Sequence, residues 1–225
     1  MKIALPVAAT ALMLLSNAAL GEDLDRRIAA PANDPANAAS LEKVVLAGGC
    51  FWGQQAVFEH VKGVSKVVAG YSGGAKETAT YPLVTTETTG HAESVEITFD
   101  PRVLSFGKLL QVYFSVAHDP TQLNFQGPDE GSSYRTEIFF EGPQQEKTAR
   151  AYIAQLETAH IFAGPIVTKI EKLKGFYPAE GYHQDYLIHH PTQPYIVYND
   201  LPKLEALKRV WPEFYRPDPV RLASR

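Results

Sequence analysis

The sequence predicts a layered α/β (α+β) domain, a two-layer sandwich on a ferredoxin-like, split βαβ core with extensions. Short apolar runs alternate with helix-period segments from Lys43 onward, and glycine-rich turns separate them. A length of 225 residues, 45% hydrophobic and 20% charged, suits one globular domain with flanking segments. Lys43 to Ala47 reads as a short buried strand, Gly48-Gly49 as a tight turn, and Cys50 to Val61 as a helix with Val57, Phe58 and Val61 on one face. A strand over 64–71 and a Gly- and Thr-rich loop lead to a strand over 94–99, in which Val95, Ile97 and Phe99 alternate with Ser94, Glu96 and Thr98. Phe106 to Val116 reads as a helix, Thr136 to Phe140 as a strand, Pro143 to Leu156 as a helix opening on proline, and Ile166 to Ile170 as a strand. Lys174 to Tyr198, dense in Tyr, His and Pro, reads as a long ordered wrap without regular structure. The domain is expected over 41–217, with 218–225 as a tail.

Lys2 ahead of the apolar stretch Ile3 to Leu15, then small residues through Ala18, Ala19 and Gly21, has the pattern of an export signal over 1–21. About 13 apolar residues fall short of the roughly 20 that span a bilayer. Residues 22–40, rich in Ala, Asn, Pro and Asp, read as a flexible leader. The expectation is an exported monomer, periplasmic or secreted, with no membrane contact after cleavage. A net charge of −4 without a basic block argues against a nucleic-acid partner.

Cys50 is the only cysteine. It cannot form an internal bridge, and an unpaired thiol in an exported chain points to chemistry. Its position after two glycines, at the start of a helix, predicts a thiol whose pKa is lowered by backbone N–H groups and the helix dipole. Phe51 and Trp52 beside it suit the wall of a pocket. His91-Ala92-Glu93 is half of a zinc-deaminase pattern, but the paired cysteines are missing. His183, His189 and His190 lack supporting ligands, so no metal is expected.

Gly49-Cys50-Phe51-Trp52-Gly53 resembles the signature of the A-type peptide methionine sulfoxide reductases. Gly70 to Gly74, Tyr81, Gly90 to Glu93, His118 to Gln122, Asp129 to Arg135 and Tyr182-His183-Gln184 accompany it in order. The resemblance spans roughly 43–198 and implies reduction of methionine S-sulfoxide, free or in oxidised proteins, without metal or organic cofactor. A sulfoxide is a poor electrophile until its oxygen is protonated or strongly hydrogen-bonded, so thiol attack needs an acid beside that oxygen. Glu93 is assigned that role, with its pKa raised by desolvation. Phe51 and Trp52 would hold the S-methyl group. The resemblance places the Tyr81 and Tyr134 hydroxyls beside the oxygen and gives Asp129 an orienting role.

Attack leaves Cys50 as a sulfenic acid. Relatives often resolve it with further cysteines near the C-terminus, which this chain lacks, so an external thiol, thioredoxin-like or small, is expected to reduce Cys50 directly. Phe125 and Ser132-Ser133 depart from the usual pattern and bear on substrate preference. Two rival readings are a thiol peroxidase or hydrolase, which would pair Cys50 with a histidine base, and a non-catalytic peptide-binding module with Cys50 merely buried.

Overall fold

The computed structural model describes residues 26–35 and 40–222, so the expected export signal lies outside the described residues. In chain order the regular elements are β1 (Glu42–Gly48), α1 (Phe51–Glu59), β2 (Val64–Ser72), the single turn α2 (Tyr81–Val84), β3 (Ala92–Phe99), α3 (Phe106–Val112), β4 (Phe125–Gln126), β5 (Asp129–Glu130) and β6 (Thr136–Phe140). After them come α4 (Pro143–Thr158), β7 (Lys169–Lys172), β8 (Phe176–Pro178), α5 (Tyr186–His189) and α6 (Leu201–Val210).

Among the described residues one six-stranded sheet runs β7-β6-β1-β3-β2-β8. β1 and β2 are each antiparallel to β3, so they run parallel to one another with β3 between them and α1 as the crossover. β6 lies antiparallel on the outer side of β1. The inner order β6-β1-β3-β2 is therefore the expected split βαβ core. β7 extends it in parallel beside β6, and β8 extends it antiparallel to β2.

Strand alternation sorts the two faces. Val44 and Leu46 of β1 and Val95, Ile97 and Phe99 of β3 enter the main core with Val57 and Phe58 of α1, Leu109 of α3 and Tyr152 of α4. Val45, Ala47, Ala92 and Phe139 point to the opposite face, where Leu173 and Phe176 cover them. The helix layer thus lies on one side and the C-terminal wrap closes the other.

Several boundaries differ from expectation. Residues 26–35 are no free leader: Ile28 is buried in the core, Tyr152 and Gln155 donate to the carbonyls of Ala29 and Ala30 at 2.8 and 2.9 Å, and the Arg27 guanidinium lies 4.5 Å over the Trp211 ring. The strap is held mainly by side chains that donate to its carbonyls and by polar contacts of Arg27 and Asp34, which leave no apolar period to read. The expected strand at 166–170 forms at Lys169–Lys172, where backbone pairing with β6 sets its place. The wrap carries regular structure after all: Phe176–Pro178 pairs with Gly70–Ser72. α6, which the sequence reading left unassigned, packs Ala206 and Leu207 into the core. The tail begins bonded, Val220 and Leu222 donating to the Glu59 carbonyl and the Asp185 carboxyl.

Candidate active site

β1 ends in a turn that only glycine can make. Gly49 has φ +89°, and a Cβ there would lie 2.7 Å from the Gln126 side chain. The Gln54 amide donates to the carbonyls of Gly48 and Ala117, both at 2.7 Å, and so ties the turn to the end of the α3 segment. Cys50 then occupies the N-cap of α1 and is 7% exposed. Glu93 shares the parity of Val95 and Ile97, so it faces the helix layer, at the strand end where α1 starts. The Phe51 backbone N–H donates to Glu93 Oε2 at 3.0 Å, satisfying one of the free donors of the first helical turn.

Burial dominates the electrostatics. Glu93 is pushed up to about 8, chiefly by desolvation, with the Phe51 N–H pulling back and the Asp129, Glu87 and Asp200 carboxyls adding to the rise. The thiol behaves opposite to expectation. Burial pushes Cys50 well above its ordinary value of 9.0, and Glu93 and Asp200 push the same way, while the Trp52 N–H lowers it. The magnitudes explain the outcome: a helix N-terminus contributes about 1–2 kcal/mol at best, roughly one pKa unit, against up to ~3–5 units for full burial. The resting site therefore holds a thiol beside a protonated acid.

The other expected groups join this neighbourhood. Tyr81 and Tyr134 are half-buried and shifted up, first by desolvation and then by Glu93, and the Cys50 and Asp129 charges act on both. Asp129 is raised by burial and accepts a short hydrogen bond from the Tyr195 hydroxyl. Phe51 packs against Tyr71 and His183, with ring centroids 5.8 and 5.0 Å apart. Trp52 stacks on Tyr186 at 3.7 Å and 6°, meets Tyr195 edge-on, and donates its indole N–H to His183 Nδ1 at 3.1 Å.

The two departures from the usual pattern have different fates. Ser132 and Ser133 clamp Glu87, their hydroxyls and the Ser133 N–H donating to its carboxyl at 2.6–3.0 Å. The clamp fixes the turn that carries Tyr134. Phe125 stands 38% exposed on the β4–β5 hairpin beside the strand that carries Asp129.

Sequence reasoning missed Tyr195 and Asp200 as parts of the site, and it named His183 within the Tyr182-His183-Gln184 motif without giving it a role there. Asp200 is fully buried, with Oδ2 lacking a partner among the described residues and Lys203 at 3.5 Å from Oδ1, and burial pushes it up to about 6. It sits against Gly53, where a Cβ would collide with the carboxyl. That contact gives the last glycine of the signature its reason, and a glycine on an otherwise good helix was the one available hint.

Among the described residues no imidazole hydrogen-bonds Cys50. Of the two candidate bases, His91 is occupied by the Gly74 N–H and the Ala75 carbonyl, and His183 Nδ1 accepts the Trp52 indole N–H, which disfavours the hydrolase reading. No group of three or more metal-ligating side chains occurs among the described residues. Likewise, no helix among them is long and apolar enough to cross a membrane.

Comparison with known proteins agrees with this geometry. Residues 42–214 match the family described as peptide methionine sulfoxide reductase. Peptide methionine sulfoxide reductase MsrA 2 of Mesorhizobium japonicum is 59% identical over 191 residues, covering 85% of this chain and 98% of that protein. MsrA 2 of Synechocystis sp. is 50% identical over 172 residues, covering 76% and 80%. Among solved structures, methionine sulfoxide reductase A of Corynebacterium diphtheriae superposes with a TM-score of 0.60 at 34% identity, covering 71% of this chain and 79% of that one. Reduced Mxr1 of Saccharomyces cerevisiae gives 0.61 at 29% identity, covering 72% and 92%.

Proposed function

The chain belongs to the peptide methionine sulfoxide reductase family, and from that premise we infer that Cys50 is its nucleophile, Glu93 its acid, and Phe51 and Trp52 its methyl-binding wall. The protein is an oxidoreductase that reduces methionine S-sulfoxide, peptide-bound or free, to methionine in the repair of oxidised proteins. Its electrons come from a thiol, without a prosthetic cofactor. The observation that carries the assignment of roles is the Phe51 N–H bond to a buried, protonated Glu93 beside the cap cysteine.

In this reading, substrate enters with its methyl group against Phe51 and Trp52 and its oxygen towards Glu93, Tyr81 and Tyr134. Glu93 delivers its proton to the oxygen as Cys50 Sγ attacks the substrate sulfur, and the Cys50 proton passes to the carboxylate, so that Glu93 ends the step protonated again. The transient bond between the two sulfurs and the S–O bond of the substrate then break as the hydroxyl passes to Cys50 and forms its S–OH bond. Methionine sulfur gains two electrons and Cys50 loses two. Asp129, fixed by Tyr195, orients the phenol side of the site. A first external thiol then displaces water from the sulfenic acid to give a mixed disulfide, and a second releases Cys50 as thiol. With one cysteine in the sequence, no internal disulfide can replace that step.

A thioredoxin-like protein is the proposed reductant, since a dithiol supplies both equivalents. An exported location is proposed on Lys2 and the Ile3 to Leu15 run, without membrane contact after cleavage. A monomer is proposed as the working form. The test is turnover of separate S and R sulfoxide epimers of a methionine peptide with dithiothreitol: the reading expects the S epimer alone to be reduced, and equal turnover of both would overturn it.

A further inference from the structure

Trp52 is half-buried at the second residue of α1, and its restraints are unequal in kind. The Tyr186 stack fixes the plane of the indole but leaves it free to slide within that plane. Tyr195 meets it edge-on at 5.9 Å and adds little direction. The directional contact is the indole N–H donated to His183 Nδ1. Because Nδ1 accepts, the imidazole proton sits on Nε2, which is buried without a hydrogen-bond partner among the described residues and lies 3.9 Å from Glu180 Oε2.

His183 is anchored independently of Trp52. It lies in the turn Gly181–His183, and the next residue, Gln184, pairs its side-chain amide with both the N–H and the carbonyl of Ala69, at 3.0 and 2.9 Å. Its ring packs on Phe51 at 5.0 Å, Tyr81 at 4.6 Å and Tyr182 at 4.2 Å. Glu180, one turn earlier, accepts the Tyr81 N–H and the Tyr71 hydroxyl, both at 2.9 Å. One short segment of the wrap therefore holds the apolar wall through His183 and the Tyr81 arm through Glu180.

We propose that His183 is a positioning residue that fixes the Trp52 indole, through the acceptor at Nδ1, in the orientation that receives the substrate methyl group. This rests on the reading of Trp52 as the methyl-binding wall. Trp52 touches the methyl group in ground and transition states alike, so loss of its alignment acts on binding.

The chain has two tryptophans, and Trp211 donates its indole N–H to Ser115 Oγ at 2.6 Å, which makes its signal an internal reference for the fold. Indole N–H exchange by NMR, together with steady-state kinetics, tests the proposal in His183→Leu and His183→Asn. In the leucine variant Trp52 exchange and KM are each expected to rise about fivefold, the equivalent of one ordinary hydrogen bond, with kcat within about twofold and Trp211 unchanged. Asparagine, whose Oδ1 stands near the Nδ1 position, is expected to restore both. His183→Gln, with its carbonyl further out, replaces leucine if the Trp211 signal shows that variant unfolded, with the same expectation. Wild-type Trp52 exchange without the acceptor, or asparagine no better than leucine, would overturn the proposed bond. Faster exchange with unchanged KM would overturn the positioning role and put the fault in the reading of Trp52.

Discussion

The Phe51 backbone N–H points at the Glu93 carboxyl from the first turn of α1, at 3.0 Å, and couples the start of the cysteine helix to the end of β3. The same bond that orients Glu93 also favours its ionised form, yet burial outweighs it and leaves the carboxyl at about 8. An acid held protonated at neutral pH, hydrogen-bonded to the residue that follows the nucleophile, is the central arrangement of this site.

Glu93→Gln keeps an acceptor for the Phe51 N–H and removes the transferable proton. Its kcat/KM is expected to fall by about 10²–10³, in the range of a lost general acid. In the wild type kcat/KM should decline as pH rises through about 8, where Glu93 gives up its proton, and the variant should lose that limb. A pH–rate profile of both proteins checks this.

The same substitution should stabilise the fold. Glu93 binds its proton more tightly folded than unfolded, so its stabilising contribution is complete below about 4.5 and lost as pH rises towards about 8. Denaturant titrations are expected to show Glu93→Gln more stable than wild type by at least about 1 kcal/mol at pH 8, with the gap closing near pH 4.

Cys50 should alkylate slowly at neutral pH in the resting protein, because burial, Glu93 and Asp200 all oppose its ionisation. Asp200→Asn removes one of these charges without changing shape, and the pH midpoint for iodoacetamide reaction should move down. An unchanged or higher midpoint would show that Asp200 does not act on the thiol.

Gly53→Ala places a methyl group into the Asp200 carboxyl. Overpacking of this kind is expected to destabilise by about 1–3 kcal/mol and to reduce kcat by shifting the first turn of α1. Thermal unfolding and turnover of the purified variant check both effects.

Much of this site was legible because its elements follow simple periods. The alternation of Val95, Ile97 and Phe99 gave β3 its buried face and so placed Glu93, and Gly48-Gly49 before an apolar helix face placed Cys50 at a cap. The thiol shift was misjudged because a helix N-terminus is visible in sequence while the depth of burial is not. Tyr195, His183 and Asp200 lie 133 to 150 residues from Cys50 and reach the site only because the wrap and α6 fold back across α1. Nothing local in Pro194 to Asp200 announces that return. The strap at 26–35 escaped notice because Ile28 is its deeply buried anchor, and side chains that donate to its carbonyls, with Arg27 and Asp34 of its own, hold the rest.

A single-turnover reaction with methionine S-sulfoxide in the absence of any reductant tests the central claim most directly, with released methionine counted and Cys50 examined by intact mass and by dimedone trapping. The expected result is one methionine per protein, one added oxygen, and a dimedone adduct on Cys50, all abolished in Cys50→Ser. Release of methionine from Cys50→Ser, or no release from wild type until thiol is added, would contradict it.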